Sequence, residues 1–244
     1  MLAEFILSSL LISFGYPELF DEQKVKGEIG LISFISQRKI SNYERNILIG
    51  TFGEFSFLKI FGLRADIPAG LTEKGDLKLS DISGTFKLSL LDLSPMPTFL
   101  LSFEFPTGST PFTENRIVIS PMVFFKFGIL NLKLSVLGGA RFSPSKDKKE
   151  INILYPHTTQ NEVFLFLGGG TYFIPKILLF ELKLGGIYEN LKKLVFQPQI
   201  HLVISIPTKP IEPKISVFGF GAIGQNGNAR QGYGAGAYVS VSFQ

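Results

Sequence analysis

FLLSFEFPTGST, residues 99–110, opens as a strand and stops at a turn. Successive side chains of an extended chain point to opposite sides, so Phe99, Leu101, Phe103 and Phe105 share one face while Ser102 and Glu104 occupy the other. Pro106-Thr107-Gly108 then ends the ladder, because proline has no N–H to give and glycine frees the turn. A face made of three phenylalanines and a leucine must be covered, either by a second sheet or by lipid.

The same two-residue period recurs along the chain. Runs of alternation bounded by turn residues predict about twelve strands, at 26–36, 46–53, 55–67, 81–91, 98–106, 115–128, 130–142, 161–173, 177–187, 192–206, 214–223 and 232–243. No amphipathic helix remains. Most of these strands run to about ten residues or more, whereas strands of soluble sheets cluster near five or six.

Parity separates charge from apolar bulk in the middle of the chain. Phe86, Leu88, Phe103, Phe105, Leu132, Leu134, Leu182 and Leu184 fall on a face with no charge. The opposite parity carries Asp81, Lys87, Glu104, Arg116, Lys126, Lys133, Arg141, Glu181, Lys183, Lys193, Gln197, Gln199 and His201. A soluble sandwich would also present one apolar and one polar face, so loop lengths decide. The gaps between strands are mostly long at odd positions and short at even ones, the ninth and tenth departing from the rule. Short turns on one rim and longer loops on the other mark a transmembrane barrel with both termini on the periplasmic side. The expected fold is therefore all-β, an antiparallel transmembrane barrel of about twelve strands.

Composition agrees and removes other classes. Phe and Gly each number 25, Trp and Cys are absent, and no internal stretch is long and uncharged enough for a helical span. Without Cys there are no disulfides or thiolate metal sites, and two His residues leave little for a zinc centre. No cofactor is expected. A net charge of +4 from singly scattered basic residues speaks against nucleic acid as a partner. Phe5–Phe14, FILSSLLISF, has the length of a signal-peptide core, which makes residues 1–18 a leader and 19–244 a single barrel domain. The C-terminal YGAGAYVSVSFQ alternates to the end and carries Phe243 one residue from the terminus, the kind of closing strand that barrel-insertion machinery engages.

A family resemblance rests on three stretches. Phe52-Gly53-Glu54-Phe55-Ser56, followed by Ile60-Phe61-Gly62-Leu63-Arg64-Ala65-Asp66-Ile67-Pro68, resembles the tight hairpin and Pro-terminated strand of the outer-membrane barrels grouped under the meta pathway of phenol degradation. Ser80–Leu88 and Leu100–Gly108 are similar to that family's Gly-Asp-x-x-x-x-x-Lys strand and its Leu-Pro-Thr-Gly ending, with Ser80-Asp81 in place of Gly-Asp. The resemblance covers residues 46–110 and implies a Gram-negative outer-membrane channel for hydrophobic or aromatic compounds.

Two motifs of chemistry fit less well. Gly219-Phe220-Gly221-Ala222-Ile223-Gly224 satisfies a dinucleotide pattern, but a loop rather than a helix follows it. A lipid hydrolase needs a His beside a Ser, and Ser205, four positions from His201, would stand about 13 Å away along a strand. His157 falls in the longest loop, 143–160. Pro121 and Pro198 interrupt strands where a closed barrel has no edge to spare the missing donor, so each marks a bulge or a sideways opening of the wall.

The sequence thus predicts a channel for small solutes, embedded in outer-membrane lipid and not an enzyme. Its lumen would be lined by Lys87, Glu104, Arg116, Lys126, Lys133, Arg141, Glu181, Lys183, Gln197, Gln199 and His201. A structural or adhesive barrel without transport, an outer-membrane lipid hydrolase and a soluble periplasmic β-sandwich are the alternatives.

Overall fold

The computed structural model describes residues 25–38, 44–57, 60–72, 74–90, 96–113, 115–129, 132–144, 161–189, 193–224 and 231–243. They form β1 (Val25–Arg38), β2 (Glu44–Phe57), β3 (Phe61–Leu71), β4 (Leu77–Leu79), β5 (Ile82–Ser89), β6 (Met96–Phe105), β7 (Val118–Ile129), β8 (Leu132–Phe142), β9 (Asn161–Ile174), β10 (Leu178–Glu189), β11 (Lys193–Ser205), β12 (Ile211–Gly224) and β13 (Gly232–Phe243). All pairings are antiparallel. The first strand pairs with both the second and the last, and β2 pairs with β3, so the sheet closes on itself.

The strands β4 and β5 both lie along β3, opposite Ala69–Leu71 and Phe61–Asp66 respectively. They are the two halves of one strand, broken at Ser80-Asp81, which makes the fold a closed barrel of twelve strands. No helix occurs among the described residues.

Val25 and Phe243, the outer ends of β1 and β13, share a rim with Phe57, Phe61, Ser89, Met96, Ile129, Leu132, Ile174, Leu178, Ser205 and Ile211. The opposite strand ends, from Arg38 and Glu44 round to Gly224 and Gly232, make the other rim. Residues 1–18, His157 and most of the loop 143–160 lie outside the described residues.

The faces of the sheet invert the usual rule that exposed means polar. On β3 the pattern alternates strictly, with Phe61, Leu63 and Ile67 exposed and Arg64 and Asp66 buried. On β6 Phe99, Leu101 and Phe105 are exposed while Ser102 and Glu104 are buried. An apolar outer wall around a closed ring with charge inside is the pattern of a barrel whose solvent is hydrocarbon. It is not that of a two-sheet sandwich, whose apolar faces meet in a core.

Two boundaries differ from the sequence reading. Gly53-Glu54 is not a hairpin: β2 runs on to Phe57, the reversal falls at 58–60, and Ile60 N donates to Phe57 O at 3.2 Å. Gly53 suggested a turn, yet it pairs in register with Ala65 on one side and Ile29 on the other, so the alternation passes through it unbroken. Arg116 precedes β7, which begins at Val118, and belongs to the rim loop.

Candidate functional site in the barrel interior

Toward the rim that carries the termini, the interior is ionic. Arg64 and Asp66 stand two residues apart on one face of β3, with Nη2 2.6 Å from Oδ1 and Nε 3.0 Å from Oδ2. Arg64 Nη1 also lies 3.6 Å from Glu54 Oε2, and its guanidinium sits 4.4 Å from the centroid of the Phe52 ring. Lys87 Nζ takes the other oxygen of Glu54 at 2.5 Å. Across the closing seam Glu28 accepts from Ser240 at 2.7 Å and Ser242 at 3.1 Å and pairs with Lys214 at 3.3 Å. Glu28, Glu54 and Asp66 are thus matched by Arg64, Lys87 and Lys214. Buried charge persists only when it is matched in this way.

The same half of the barrel holds three further groups. Lys183 Nζ lies 3.4 Å from Glu181 Oε2. His201 is buried, with Nε2 3.2 Å from Gln199 Oε1 and its ring stacked on Phe218 at 5.6 Å. Lys133 Nζ donates to the Tyr172 hydroxyl at 2.5 Å and hangs over that ring. Near the far rim a second polar band is smaller. Arg141 Nη2 lies 3.3 Å from Glu104 Oε2, the pairing register sets Glu162 opposite Arg141, and Arg116 is buried among the loop residues.

Between these bands two apolar clusters fill part of the interior, while the β5–β6 side stays polar throughout, with Ser83, Thr85, Thr98 and Ser102 buried and Thr85 Oγ1 bonded to Ser102 Oγ at 3.1 Å. Ile32 and Phe34 of β1, Leu48 and Phe52 of β2, Phe218 and Phe220 of β12, and Tyr238 of β13 make one buried cluster. Leu100, Met122, Phe124, Leu137, Phe164 and Phe166 anchor a second, which continues to Ile187, Val195 and Ala222. The rings fit because glycine faces them from the neighbouring strand. A Cβ on Gly236 would meet Phe34 and lie 2.6 Å from Phe218 Cζ, and one on Gly234 would lie 2.5 Å from Phe220 Cζ. The glycines of YGAGAY therefore serve ring packing, and GFGAIG is the end of strand β12 and opens no phosphate-binding helix.

One member of the first cluster comes from a loop. Phe112, between β6 and β7, is 2 % exposed and packs among side chains of β1, β2, β12 and β13. The segment that carries it is stitched to the break between β4 and β5. Ser80 Oγ donates to Phe112 O at 2.7 Å, Thr113 Oγ1 to Asp81 Oδ1 at 2.7 Å, and Ser109 N to Leu79 O at 3.0 Å. The side chains of Ser80 and Asp81, the carbonyl of Leu79 and the N–H of Ile82 are given to the loop, so β4 and β5 do not join.

Proline interrupts the wall at two further places. β7–β8 pairing passes from Ile119–Phe142 to Met122–Gly139 and skips Ser120 and Pro121; β11–β12 pairing passes from Phe196–Ile223 to Gln199–Phe220 and skips Gln197 and Pro198. The register does not slip, and each proline stays in step with its other neighbour. The loss is the absent N–H, on one side only. At Pro121 the outer wall carries an apolar depression of about 330 Å³ bordered by Phe86, Phe99, Leu101 and Val123. Its floor includes Gly139, where a Cβ would lie 2.7 Å from Met122 Cγ and 2.8 Å from Phe164 Cζ, so little more than backbone separates it from the inner cluster.

The sequence-selected residues divide between the bands. Lys87, Glu181, Lys183, Gln199 and His201 lie on the terminal side, with Lys126 and Lys133 half-buried there; Glu104, Arg116 and Arg141 lie toward the far rim, and Gln197 is buried beside Pro198. Glu28, Glu54, Arg64, Asp66 and Lys214, the densest group, stand outside the sequence-selected set. Gly53 beside Glu54 resembles a turn and hides that carboxylate, whereas Arg64-Ala65-Asp66 does put two opposite charges on one face. Both apolar clusters also stand outside it, their signal being a strand apolar on both faces, such as NEVFLFLGGGTYFI.

Searches against family models and against curated proteins return no match. Solved structures do match in fold. The COG4313 outer membrane channel from Pseudomonas putida F1 superposes with a TM-score of 0.63 at 10% identity, covering 90% of this chain and 95% of that one. The KdgM porin gives 0.56 at 10% identity over 88% and 98% of the two chains. The CymD monoaromatic hydrocarbon channel gives 0.51 at 6% identity over 97% and 92%. At these identities the likeness is one of architecture, and it places the chain's fold among the outer-membrane channel barrels.

Proposed function

We propose that the chain is an outer-membrane channel for small hydrophobic or aromatic molecules. The observation that carries this reading is the pair of inward clusters of Phe, Leu, Ile and Tyr side chains, which face a polar β5–β6 wall across the interior. A channel for ions or sugars must offer a partner to each polar group of the solute that it desolvates. A hydrocarbon needs none. The fold likeness to a monoaromatic hydrocarbon channel and the resemblance to the phenol-degradation barrels favour the same solute class.

In this reading the exposed apolar wall faces lipid, the rim with the termini faces the periplasm, and β13 is the strand that insertion machinery engages. Solute enters at the rim of longer loops and moves onto the apolar clusters. The matched ions Glu28, Glu54, Arg64, Asp66, Lys87 and Lys214 make the straight path onward costly for a hydrocarbon. The thin wall at Pro121 offers a sideways path into the bilayer instead.

The test is uptake of a hydrophobic fluorescent probe, 1-N-phenylnaphthylamine, by cells that carry the protein in a heat-modifiable, outer-membrane form. Faster uptake than in cells without it, with no swelling of proteoliposomes in sugars, is the expected result. Equal uptake, or swelling at porin rates, would overturn the reading. Recovery of the protein in the soluble fraction would end it.

A further inference from the structure

We propose that the nest around Phe112 is a binding site for a single aromatic ring, and that Phe112 is its resident occupant, to be displaced by an incoming solute. The proposal rests on the reading of the interior as a path for hydrophobic molecules and names the site on that path.

The observations converge on one ring. Every other side chain of the cluster grows from the barrel wall, on β1, β2, β12 or β13, whereas Phe112 is lent by a loop that begins at the far side of the mouth, between β6 and β7. The wall is shaped for a ring at this place. Gly70 of β3 faces it, and a Cβ there would lie 2.5 Å from Cδ1 and Cε1 and 2.7 Å from Cζ of Phe112. Leu48 stands opposite Gly70 in the β2–β3 register and Phe34 opposite Leu48 in the β1–β2 register, both in the same buried cluster as Phe112. Edge and face contacts of this kind recognise any flat apolar ring, because they depend on shape and on the ring quadrupole rather than on hydrogen bonds.

The loop is held by contacts that do not involve the ring. Lys78 Nζ reaches Thr110 O at 3.2 Å, Ile82 N takes Thr107 Oγ1 at 2.9 Å, and Asp81 Oδ1 receives Gly108 N at 3.1 Å as well as Thr113 Oγ1. The backbone of Phe112 is held as well, its carbonyl by Ser80 Oγ and its N–H by Ser109 O, so the ring leaves the nest by rotation of its own side chain while these stitches hold. The ring thereby keeps the apolar nest filled when no solute is present, and the exchange of one ring for another changes the buried apolar area little. A solute that lacks a ring of this size gains less from the nest than Phe112 does and stays out.

Binding of fluorobenzene to the purified barrel in lipid nanodiscs, followed by fluorine NMR, tests the site. Truncation of the competitor by Phe112→Ala is expected to tighten binding by roughly tenfold or more, from the apolar burial a phenylalanine ring represents. Phe112→Leu should give a smaller gain. Adding Gly70→Leu to Phe112→Ala fills the nest from the wall and should return binding to the wild-type level or below. Unchanged binding in Phe112→Ala, or a gain that survives Gly70→Leu, would overturn the proposal; if Phe112→Ala does not assemble, Phe112→Leu alone decides by the same comparison. Ring binding without probe uptake would leave the site and remove the channel, whereas uptake with no effect of Phe112 would do the reverse.

Discussion

Lys87 and Glu54 meet at 2.5 Å inside the barrel although their strands are not neighbours. β3 runs between β2 and β5, and Arg64, directly opposite Glu54 in register, stands beside the pair. The three side chains, with Asp66, tie three strands together at one level. Removing one carboxylate from this matched set leaves a buried cation without its partner. Glu54→Gln is expected to lower unfolding free energy by about 3 kcal/mol, the scale of a broken buried pair. Adding Lys87→Met should recover most of that loss. Urea unfolding in lipid vesicles measures both, and a double variant no more stable than the single one would show that the pair is not coupled.

A different outcome follows at the far mouth. Arg141 stands between Glu104, 3.3 Å away, and the register partner Glu162. Arg141→Glu turns this group from one cation among two carboxylates into three carboxylates. Any ion current that passes the mouth should shift toward cations, read as a changed reversal potential across a planar bilayer with a salt gradient. The same potential for wild type and variant would place Arg141 off the path.

How far these groups were legible in the sequence depends on what the lumen face carries. In FLLSFEFPTGST the alternation is between Phe and polar residues, so the strand, its faces and its end at Pro106 could all be read, and Ser102 and Glu104 are indeed the buried pair. In NEVFLFLGGGTYFI the exposed Val163, Leu165 and Leu167 alternate with buried Phe164 and Phe166. Apolar residues on both faces erase the period, and with it the apolar clusters of the interior. Glu54 was lost to a glycine that resembles a turn and is a strand residue. The inward course of the loop at Phe112 has no local signal. It depends on Ser80 and Asp81, each 32 residues from its partner in the loop.

Ring packing against glycine predicts a sharp contrast between two glycines. Gly236 faces inward under Phe34 and Phe218, whereas an added Cβ on Gly53 of β2 would meet nothing within 4 Å. Gly236→Val overfills the interior and should cost about 1–3 kcal/mol. Gly53→Ala adds a side chain in open space and restricts the unfolded chain, so it should be neutral or stabilising by up to about 1 kcal/mol. The temperature at which heat-modifiable migration is lost orders the variants, and equal behaviour of the two would contradict the packing argument.

Pro121 leaves a gap in the wall. β7 pairs fully with β6 through this residue but skips two positions against β8, and an apolar depression of about 330 Å³ opens on the wall there. The cause is the missing N–H, so Pro121→Val restores a donor facing β8 without changing the apolar character of the outer surface. The variant should close the ladder, raise the urea midpoint modestly and slow exchange of the amide of Ala140, the β8 residue opposite position 121. If hydrophobic solutes leave the interior sideways here, probe uptake falls several-fold while ion conductance along the barrel axis does not change. If uptake falls at Pro198→Val and not at Pro121→Val, the path runs through the other interruption, between β11 and β12. If neither variant affects uptake although both close their gaps by amide exchange, solute travels along the axis. The ionic band of Glu54, Arg64 and Lys87 must then part to let it through.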